Sequence, residues 1–394
     1  MNKMVTIPDV LFFQEGPGVR KSQFTNKGVK LLNVGNINNN KINLSTTKKY
    51  ISEEEAYQKY SHFLVDDGDL LIACSGIVIN NFHNKISFIT ESDLPLCLNT
   101  STMRFKSLDE NKLHINFFYY FLMTTSFKKQ IGKLITGSAQ LNFGPSHIKK
   151  IKLHLPTLTK QKEIASVLDK AQELISLRKE SIKKLDELSK SVFIDMFGDP
   201  VSNPKKIKLK KISEFTNVKT GKTPSRDNPI FWKEGTELWA TTTEVNSRFI
   251  YDTNEKITVY AVEKNNLQKF EPDTILMAMY GQGKTRGKVA LLKNKSTINQ
   301  AFCAILKNDT YNTVFLFSLL ENMYSHIRSL SRGGNQKNLN LNIVKDIKII
   351  FPDLNIQNKF AKIIEKIEEQ KSLYEEELNK LEENFKALLQ KSFN

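Results

Sequence analysis

The sequence has few of the residues on which metal sites and disulfide frameworks depend. Its three cysteines, Cys74, Cys97 and Cys303, show no CxxC spacing, and its six histidines form no HExxH pattern. Cysteines scattered in this way are typical of reduced core residues and not of ligands or bridges. We therefore expect neither a metal site nor a disulfide in this chain.

Long apolar runs are also missing. No stretch approaches the ~18 apolar residues that a membrane-spanning helix needs. The first residues, MNKMVTIPDVLFFQEGPG, lack the long apolar region of a signal peptide. These observations predict a cytoplasmic protein that does not enter a membrane. The apolar fraction of 40% and the 25 Phe still suffice for two cores.

Two motifs suggest catalysis, but both are incomplete. YGQGKTRGK, from Tyr280 to Lys288, contains GKT, yet a phosphate-binding loop requires glycine where Ala278 stands. NPIF, from Asn228 to Phe231, is similar to the Asn-Pro-Pro-aromatic motif of amino-methyltransferases, but Ile230 replaces the second proline. No glycine-rich loop after a strand accompanies it to bind S-adenosylmethionine. We find no convincing catalytic constellation.

What the sequence does contain is an internal repeat. The segment 156–197 aligns without a gap on 352–393, at an offset of 196 positions and with 14 of 42 residues identical. Both segments have an apolar seam at alternating three- and four-residue spacing, which is typical of a helix packed along another helix. The chain is therefore predicted to contain one long helix twice.

The repeat continues upstream of the two helices. GSAQLNFGPSHIKKIKLHLP (137–156) faces GGNQKNLNLNIVKDIKIIFP (333–352) at the same offset, and DDGDLLIACSG (66–76) resembles EPDTILMAMYG (271–281) at an offset of 205. Asn99 has a plausible counterpart in Asn299. The order is therefore domain, helix, domain, helix, and we predict boundaries at 1–155, 156–200, 201–351 and 352–394.

Positive charge is concentrated in the predicted domains. The chain carries +16, of which 1–156 contributes +7 and 201–352 contributes +11, whereas the two helical segments are neutral or acidic. A basic surface attracts a polyanion, and phosphate contacts supply most non-specific nucleic-acid affinity. The abundance of Lys and Asn could reflect an AT-rich genome, but codon bias does not explain why the surplus avoids the helices.

Each domain mixes strands and helices. Periodicity predicts strands in VKLLNVGNI, DLLIACSGIVI and TMRFKS and a helix in INFFYYFLMTTSFKKQIGKLI. The second domain offers strands in TELWATTTEV, TILMAMY, KVALLKN and AFCAILKN and a helix in NTVFLFSLLENMYSHIRSL. This composition is typical of the α+β class.

The chain resembles the DNA-specificity subunit of type I restriction-modification systems. The resemblance covers the whole chain and is carried by the central helix segment 155–200, by VKTGKTPSRDNPIFWKEGTELWATTTEV, and by GNQKNLNLNIVKDIKIIFP before the last helix. It implies two tandem target-recognition domains, each reading half of a bipartite, gapped DNA sequence, separated by two long antiparallel helices that form a coiled coil. Lys160 departs from the family pattern, in which Glu commonly precedes the Gln.

The resemblance also implies partners and cofactors. The helices would dock two modification (methyltransferase) subunits, and restriction/translocase subunits would join the complex. S-adenosylmethionine, ATP and Mg²⁺ would bind to those partners and none to this chain. The chain itself would be a non-catalytic subunit in defence against foreign DNA.

The residues alone support a similar arrangement. Two similar units joined head to tail can pack with pseudo-twofold symmetry, which makes their helices, each of roughly 33 residues and about 50 Å, antiparallel. A twofold-related pair matches the dyad of duplex DNA, with one basic domain for each half-site. We expect the helices to pack through Ile164, Leu168, Ile175, Ile182, Leu185, Phe360, Ile364, Ile367, Leu378, Leu381 and Leu388.

Candidate DNA contacts lie in loops that combine glycine with basic or hydrogen-bonding side chains. Loop 16–23 contributes Arg20, Lys21, Ser22 and Gln23; loop 221–226 contributes Lys222, Thr223, Ser225 and Arg226; the glycine-rich loop contributes Lys284, Arg286 and Lys288. The last loop is equally consistent with a solvated hairpin tip. The recurring pairs Gln140/Asn142 and Gln336/Asn338 are candidates for DNA contacts or, alternatively, for turn and cap residues.

Three other functions remain open from the sequence. A stand-alone adenine-N6 DNA methyltransferase would bind S-adenosylmethionine by itself. A non-catalytic coiled-coil scaffold would bind duplex DNA no better than other proteins of similar charge. RNA binding is disfavoured, since a fixed spacer suits a regular duplex better than flexible single strands.

Overall fold

The computed structural model describes residues 3–45, 47–135, 142–281, 284–332 and 338–393. The chain divides into two compact units. Unit 1 comprises Met1–Arg178 together with Glu377–Asn394, and unit 2 comprises Lys179–Glu376. Each unit therefore contains one domain and a part of both long helices.

Unit 1 combines short strands with helices. Its strands are β1 (Lys3–Thr6), β2 (Leu11–Glu15), β3 (Val29–Leu31), β4 (Ile37–Asn38), β5 (Lys41–Ile42), β6 (Tyr50–Ile51), β7 (Leu70–Ala73), β8 (Ile86–Phe88), β9 (Leu96–Cys97), β10 (Thr102–Ser107) and β11 (Lys152–Leu155). Its helices are α1 (Glu53–Tyr57), α2 (Ile115–Met123), α3 (Thr125–Leu134), α4 (Pro145–Ile148) and the first part of α5 (Leu158–Phe197).

Unit 2 repeats this composition. Its strands are β12 (Leu209–Lys211), β13 (Val218–Thr220), β14 (Glu237–Ala240), β15 (Phe249–Ile250), β16 (Lys256–Ile257), β17 (Ile275–Ala278), β18 (Val289–Leu292), β19 (Thr297–Ile298), β20 (Phe302–Ile305) and β21 (Lys348–Ile350). Its helices are α6 (Val259–Lys264), α7 (Thr313–Asn322), α8 (Tyr324–Ser329), α9 (Leu341–Asp346) and the first part of α10 (Leu354–Phe393).

The central sheet and a smaller three-stranded sheet have corresponding strand orders in the two units. The central antiparallel sheet has the order β2-β10-β7-β8 in unit 1 and β13-β20-β17-β18 in unit 2, where β15 is added at the edge. The smaller sheets β6-β3-β9 and β16-β14-β19 also correspond, each with one antiparallel and one parallel pair. This correspondence agrees with the internal repeat predicted from the sequence.

Each domain is closed by its first strand. Strand β1 pairs antiparallel with β11, and β12 pairs with β21. The amide of Ile7 donates to the Ile151 carbonyl oxygen at 3.2 Å, and in unit 2 Ile212 donates to Ile347 at 3.1 Å. The start of each domain is thereby held beside the segment that leads into the long helix. The sequence patterns did not identify these strands.

The single helix predicted between residues 115 and 135 is two helices. Thr124 has an extended backbone, with φ of −70° and ψ of 156°, and its side chain accepts a hydrogen bond from the Phe127 amide. A threonine that caps the next helix in this way ends the previous one. The corresponding break in unit 2 lies at Met323, between α7 and α8.

Helices α5 and α10 are each 40 residues long, which exceeds the roughly 33 residues expected. Neither contains glycine or proline between its bounds, and both follow a proline, Pro156 or Pro352. Helix α5 ends at Phe197 and is followed by Gly198, whose φ of 74° is the left-handed conformation common after helices. Lys205 Nζ donates to the carbonyl oxygen of Met196 in the last turn at 3.2 Å.

The two long helices run antiparallel in each unit. In unit 1, Ile164 and Leu168 of α5 lie in one hydrophobic core with Leu389 of α10, and Arg178 forms an ion pair with Glu377 at 2.6 Å. Rising residue numbers in α5 therefore correspond to falling numbers in α10.

The same relation holds in unit 2. Phe360 of α10 packs against Phe193 and Phe197 of α5 with ring centroids 5.6 and 5.4 Å apart, and Lys371 donates to Asp186 at 2.6 Å. The predicted α+β class with long antiparallel helices and an internal repeat is confirmed.

Candidate nucleic-acid interface

In unit 1, three segments leave the central sheet at one edge. Strands β2 and β7 lie on either side of antiparallel β10, so both end where β10 begins. Met103 is opposite Glu15 on one side and Ile72 on the other. We call the surface formed by residues 16–23, 74–78 and 98–101 edge 1.

In unit 2, the corresponding segments meet in the same way. Cys303 at the start of β20 is opposite Thr220 at the end of β13 and Met277 near the end of β17. We call the surface formed by residues 221–226, 279–281, 284–288 and 299–301 edge 2. The topology therefore brings together loops that are up to about 80 positions apart in sequence.

Glycine is required where the first loop of each edge leaves the sheet. A Cβ on Gly16 would lie 2.3 Å from the Asn99 amide nitrogen, and one on Gly221 would lie 1.8 Å from the Ile298 carbonyl oxygen. No side chain fits at such distances from a neighbouring backbone. The two loops thus lie directly against the segment that precedes β10 or β20.

Asn99 and Asn299 shape that preceding segment. Asn99 Oδ1 accepts a hydrogen bond from the Thr100 amide at 2.8 Å, and Asn299 Oδ1 accepts one from the Ala301 amide at 3.1 Å. The main-chain oxygens of both asparagines also accept from the first residue of the following strand, Thr102 or Phe302. These two asparagines occupy corresponding turns.

The predicted residues of loop 16–23 divide into two groups. Arg20, Lys21 and Ser22 are exposed in a short 3₁₀ turn. The Gln23 side chain is held inside unit 1, because its Nε2 donates to Glu55 at 2.7 Å and to the Tyr60 hydroxyl at 3.0 Å. The first three side chains are therefore accessible to solvent, whereas Gln23 holds the loop against the rest of unit 1.

The predicted Gln/Asn pairs fall partly outside the described residues, since Gln140 and Gln336 are not among them. Asn142 is exposed, and its Oδ1 accepts from the Ser75 hydroxyl at 2.8 Å and the Gly76 amide at 2.9 Å. Asn338 is exposed beside Leu339, whose amide donates to Met279. Asn142 thus stabilises a turn of edge 1.

At edge 2, the predicted polar residues have different surroundings. Lys222 and Ser225 are exposed, and their main-chain oxygens accept hydrogen bonds from the indoles of Trp239 and Trp232 at 3.1 and 2.9 Å. The half-buried Thr223 donates its hydroxyl to Gln300 Oε1. The two tryptophans therefore hold the loop that presents Lys222.

Arg226 is already engaged within unit 2. Its guanidinium donates two hydrogen bonds to Glu255, both 2.8 Å long. The guanidinium carbon Cζ also lies 3.9 Å from the ring centroid of Trp232 and 4.8 Å from that of Trp239. The pair raises the pKa of Arg226, and the hydrogen bond from Arg226 holds the pKa of Glu255 below its usual value. A phosphate at this site would have to displace Glu255.

Lys284, Arg286 and Lys288 belong to the hairpin between β17 and β18. Lys284 is exposed, whereas Arg286 and Lys288 are half-buried. The Tyr324 hydroxyl donates to the Lys284 carbonyl oxygen at 2.8 Å and ties this hairpin to α8. Since two strands flank the segment, it lacks the strand-to-helix context of a phosphate-binding loop.

The incomplete methyltransferase motif also has a structural use. Asn228 Oδ1 accepts a hydrogen bond from the Ile230 amide at 3.2 Å and caps the 3₁₀ turn Pro229–Phe231. Phe231 is buried, and Ile230 is 63% exposed. The motif forms a turn between two strands.

Helix-seam residues predicted from the repeat all avoid solvent to some degree. Buried are Ile164, Leu168, Ile175, Phe360, Ile364 and Ile367; half-buried are Ile182, Leu185, Leu378, Leu381 and Leu388. Several of them pack into the domain cores as well as along the helices. The helices are thus integral parts of both units.

Sequence reasoning missed two glutamines that fasten the helices to the domains. Gln161 is fully buried; its Oε1 accepts from the His114 amide at 2.9 Å, and its Nε2 donates to the Pro156 carbonyl oxygen at 2.9 Å. Gln357 does the same with Asn312 and Pro352. The sequence repeat could have pointed to them, because Gln161 and Gln357 are aligned and identical at the offset of 196.

A salt-bridge cluster fixes α10 within unit 2. Arg248 donates to both oxygens of Glu321 on α7, at 2.8 and 2.7 Å, and also to Glu368 on α10. Burial by itself lowers the pKa of Arg248, but the two carboxylates more than offset this effect and raise it. In unit 1, helix α5 is fastened to the domain by a hydrogen bond instead of a salt bridge: the Tyr120 hydroxyl on α2 donates to Asp169 of α5 at 2.6 Å.

The three cysteines are buried, and burial raises the pKa of Cys74 and Cys97 to about 12. Within the described ranges, no group of three or more His, Cys, Asp or Glu is placed to hold a metal ion. No helix in that part of the chain is long and apolar enough to cross a membrane.

Comparisons of the sequence with known proteins give consistent matches. The family model of the type I restriction modification DNA specificity domain matches residues 2–187 and again 204–383. The type I restriction enzyme MjaVIII specificity subunit of Methanocaldococcus jannaschii is 28% identical over 48% of this chain and 44% of its own length. The EcoR124I/EcoR124II specificity subunit of Escherichia coli is 23% identical over 66% and 65%. The chain covers less than two thirds of either relative.

Solved structures share the fold. The type I restriction-modification S subunit from M. genitalium superposes with a TM-score of 0.59 at 17% identity, covering 100% of this chain and 96% of the other. A structure from work on assembly and conformational transition of the type I R-M system gives a TM-score of 0.62 at 14% identity, covering 100% and 97%. At these identities the likeness establishes the fold alone.

Proposed function

The chain belongs to the family of type I restriction modification DNA specificity domains, and from this membership we propose that it is the DNA-specificity subunit of a type I restriction-modification complex. Each domain, 1–155 and 201–351, reads one half of a bipartite, gapped duplex target. The long helices set the number of base pairs between the halves. The chain carries no catalytic machinery of its own.

The observation that carries this proposal is the duplicated edge. Two units of the same topology each gather loops with exposed basic side chains, Arg20 and Lys21 at edge 1 and Lys222 and Lys284 at edge 2. Phosphate contacts of this kind position a protein on DNA, while neighbouring polar side chains read base edges. Because the loops of the two edges differ in sequence, the two half-sites should differ.

The second part of the proposal concerns two modification subunits. Val167 on α5 and Ile363 on α10 are related by the repeat offset of 196, and both are exposed, at 48% and 41%. Leu177 and Leu373 form a second such pair, at 52% and 54%. Apolar side chains exposed at repeat-related positions suit two copies of one partner. The S-adenosylmethionine site would then lie on that partner, and ATP and Mg²⁺ would bind restriction subunits.

Methylation mapping tests the proposal directly. The full chain is co-expressed with its modification subunits in a host without other adenine methylation, and methylated adenines are mapped across the genome. We expect one gapped, two-part motif with different halves. Methylation without such a motif, or none while the complex is intact, would refute the proposal; S-adenosylmethionine binding by the isolated chain would favour the stand-alone enzyme.

A further inference from the structure

The two edges share a pair of facing positions that hold different side chains. In unit 1 these positions are Gly18 and Thr100, which correspond to Thr223 and Gln300 in unit 2. The correspondence is anchored by Gly16 and Gly221 in the first loop, and by the asparagine turns just before Thr100 and Gln300.

The positions are neighbours in both units. A Cβ on Gly18 would lie 3.7 Å from Thr100 Cγ2, and the Thr223 hydroxyl donates to Gln300 Oε1. The pair is therefore a feature of the repeated scaffold, filled with small groups in unit 1 and with a hydrogen-bonded side chain in unit 2.

Gln300 is exposed and yet held in place. Its main-chain oxygen accepts from the Thr220 hydroxyl at 3.2 Å, and the turn around it is fixed by Asn299 Oδ1. The hydroxyl of Thr223 binds the end of the side chain. An amide fixed in this way loses little rotamer freedom when it binds a ligand.

The remaining hydrogen-bonding capacity of Gln300 defines the ligand. A side-chain amide offers two lone pairs and two N–H donors. Thr223 occupies one lone pair, which leaves one acceptor beside two donors. In the major groove, adenine presents an N6 amino donor beside the N7 acceptor, and a glutamine amide pairs with both atoms at once. A hydroxyl such as that of Thr100 has its donor and its lone pairs on one oxygen, so it cannot place a donor atom and a separate acceptor atom opposite the two base atoms as an amide does.

We propose that Gln300 reads an adenine in the half-site bound by unit 2, and that Thr223 is the positioning residue that presents its amide. The inference rests on the proposed function, because it names the base that one recognition domain selects. It also states that the corresponding pair in unit 1, Gly18 and Thr100, does not select adenine at the equivalent position.

The first test uses the full chain in complex with its modification subunits. The complex selects from a duplex library in which both half-sites are randomised, and bound sequences are counted. Gln300→Glu keeps the side-chain size but removes both donors. We expect the adenine preference at one position of half-site 2 to fall by about tenfold or more, with half-site 1 unchanged.

Thr223 has its own matched variants. Thr223→Val removes the hydroxyl at nearly constant size and should weaken the same adenine preference by less than Gln300→Glu does. Thr223→Ser restores the hydroxyl and should restore the preference. Equal selection by Val and Ser variants would remove the positioning role.

A second, independent test transfers the residue pair of unit 2 to unit 1. The double variant Gly18→Thr, Thr100→Gln places the unit 2 pair on edge 1. The backbone of Gly18 is outside the left-handed region, and a Cβ there meets only ordinary van der Waals contact, so the graft fits. We expect a new adenine preference in half-site 1 while half-site 2 is unchanged.

The outcomes separate this inference from the function beneath it. If the wild-type complex selects a gapped motif and Gln300→Glu selects the same one, the assignment of Gln300 is wrong and the function stands. If the wild type selects no two-part motif, both fall. An unaltered urea midpoint for each variant confirms that altered selection does not arise from unfolding.

Discussion

At the scale of single residues, Arg226 and Glu255 illustrate how an exposed loop is held in shape. The Arg226 guanidinium lies over both tryptophans of the chain and pairs with Glu255 through two parallel hydrogen bonds. Planar, bidentate pairs of this kind are the more favourable among surface ion pairs. Glu255 therefore contributes to the stability of unit 2 as long as it is ionised.

We predict that this contribution depends on pH. Because the pKa of Glu255 is lower in the folded protein than its ordinary value of 4.5, its stabilisation is fully present above pH 4.5 and is lost as the pH falls through the folded value. Urea unfolding followed by tryptophan fluorescence reports on unit 2, where both tryptophans lie. The difference between wild type and Glu255→Gln should shrink towards acid pH; a constant difference would show that the ion pair is not responsible.

The sequence predicts some of these residue roles but not others. Arg20, Lys21 and Lys222 are exposed at the two edges, as loops rich in glycine and basic residues suggest. Their contact with DNA stays a prediction. Gln23 and Arg226 are also polar or basic residues of these loops, but their side chains are bound to glutamates within the same unit. Gln23 pairs with a glutamate 32 positions away, and Arg226 with one 29 positions away. Spacing within one loop carries no information about such distant partners.

At the scale of elements, the long helices are stabilised by aromatic clusters as well as by their seam. Phe360 of α10 is fully buried and packs against Phe193 and Phe197 of α5 and Phe315 of α7. One ring thus joins both long helices to the domain core within unit 2. The edge-to-face geometry, with interplanar angles of 85° and 90° to Phe193 and Phe315, is a favourable one.

Phe360→Ala should therefore destabilise unit 2 strongly. Removing a buried phenylalanine costs about 3–5 kcal/mol, because transfer free energy is lost and a cavity remains. Ile356→Ala, one turn earlier on the same helix, is the matched control: Ile356 is 41% exposed, and surface substitutions usually change stability by less than about 0.5 kcal/mol. Both are measured by urea unfolding with tryptophan fluorescence, and similar losses for the two variants would contradict the packing described.

Element prediction from the sequence succeeded where the period was long and failed where it was short. The helices α5 and α10 follow from a seam repeated over many turns. Strands β1 and β12 were missed, because three or four residues are too few to show a period and each is paired with a strand more than 130 positions away. The break at Thr124 was missed because capping competes with a continuous apolar pattern.

At the scale of the whole molecule, unit 1 is formed by two separate stretches of the sequence, and unit 2 by the stretch between them. Unit 1 takes its last 18 residues from the C-terminal end of the chain, after all of unit 2. The repeat itself was readable from the sequence because its offset of 196 is constant through both helices. The sequence does not show that each compact unit contains part of both helices. That division depends on which domain core covers which helix residues.

Because the end of α10 belongs to unit 1, we can predict how a chain shortened to end at Gly198 would behave. In the undivided chain, Phe385, Leu388, Leu389 and Phe393 of α10 pack on the core of unit 1. The half-length chain lacks them, but its own α5 holds Ser189, Val192, Phe193 and Phe197 at the positions shifted by 196. A second copy can therefore supply three of the four apolar groups. We expect a symmetric dimer by sedimentation equilibrium.

Two substitutions in the half-length chain test whether this dimer uses the repeat. Phe193→Asp places a charge where the second copy would meet the core and should leave a monomer. Leu188→Asp changes a residue that is 46% exposed in the undivided chain and should leave the dimer intact. If the proposed function is correct, this dimer in complex with modification subunits should select the half-site of the first domain twice, in inverted orientation, because both of its recognition domains are then copies of the first. A folded wild-type half that stays monomeric, or a dimer indifferent to Phe193→Asp, would mean that α5 cannot take the place of α10 on the core of unit 1.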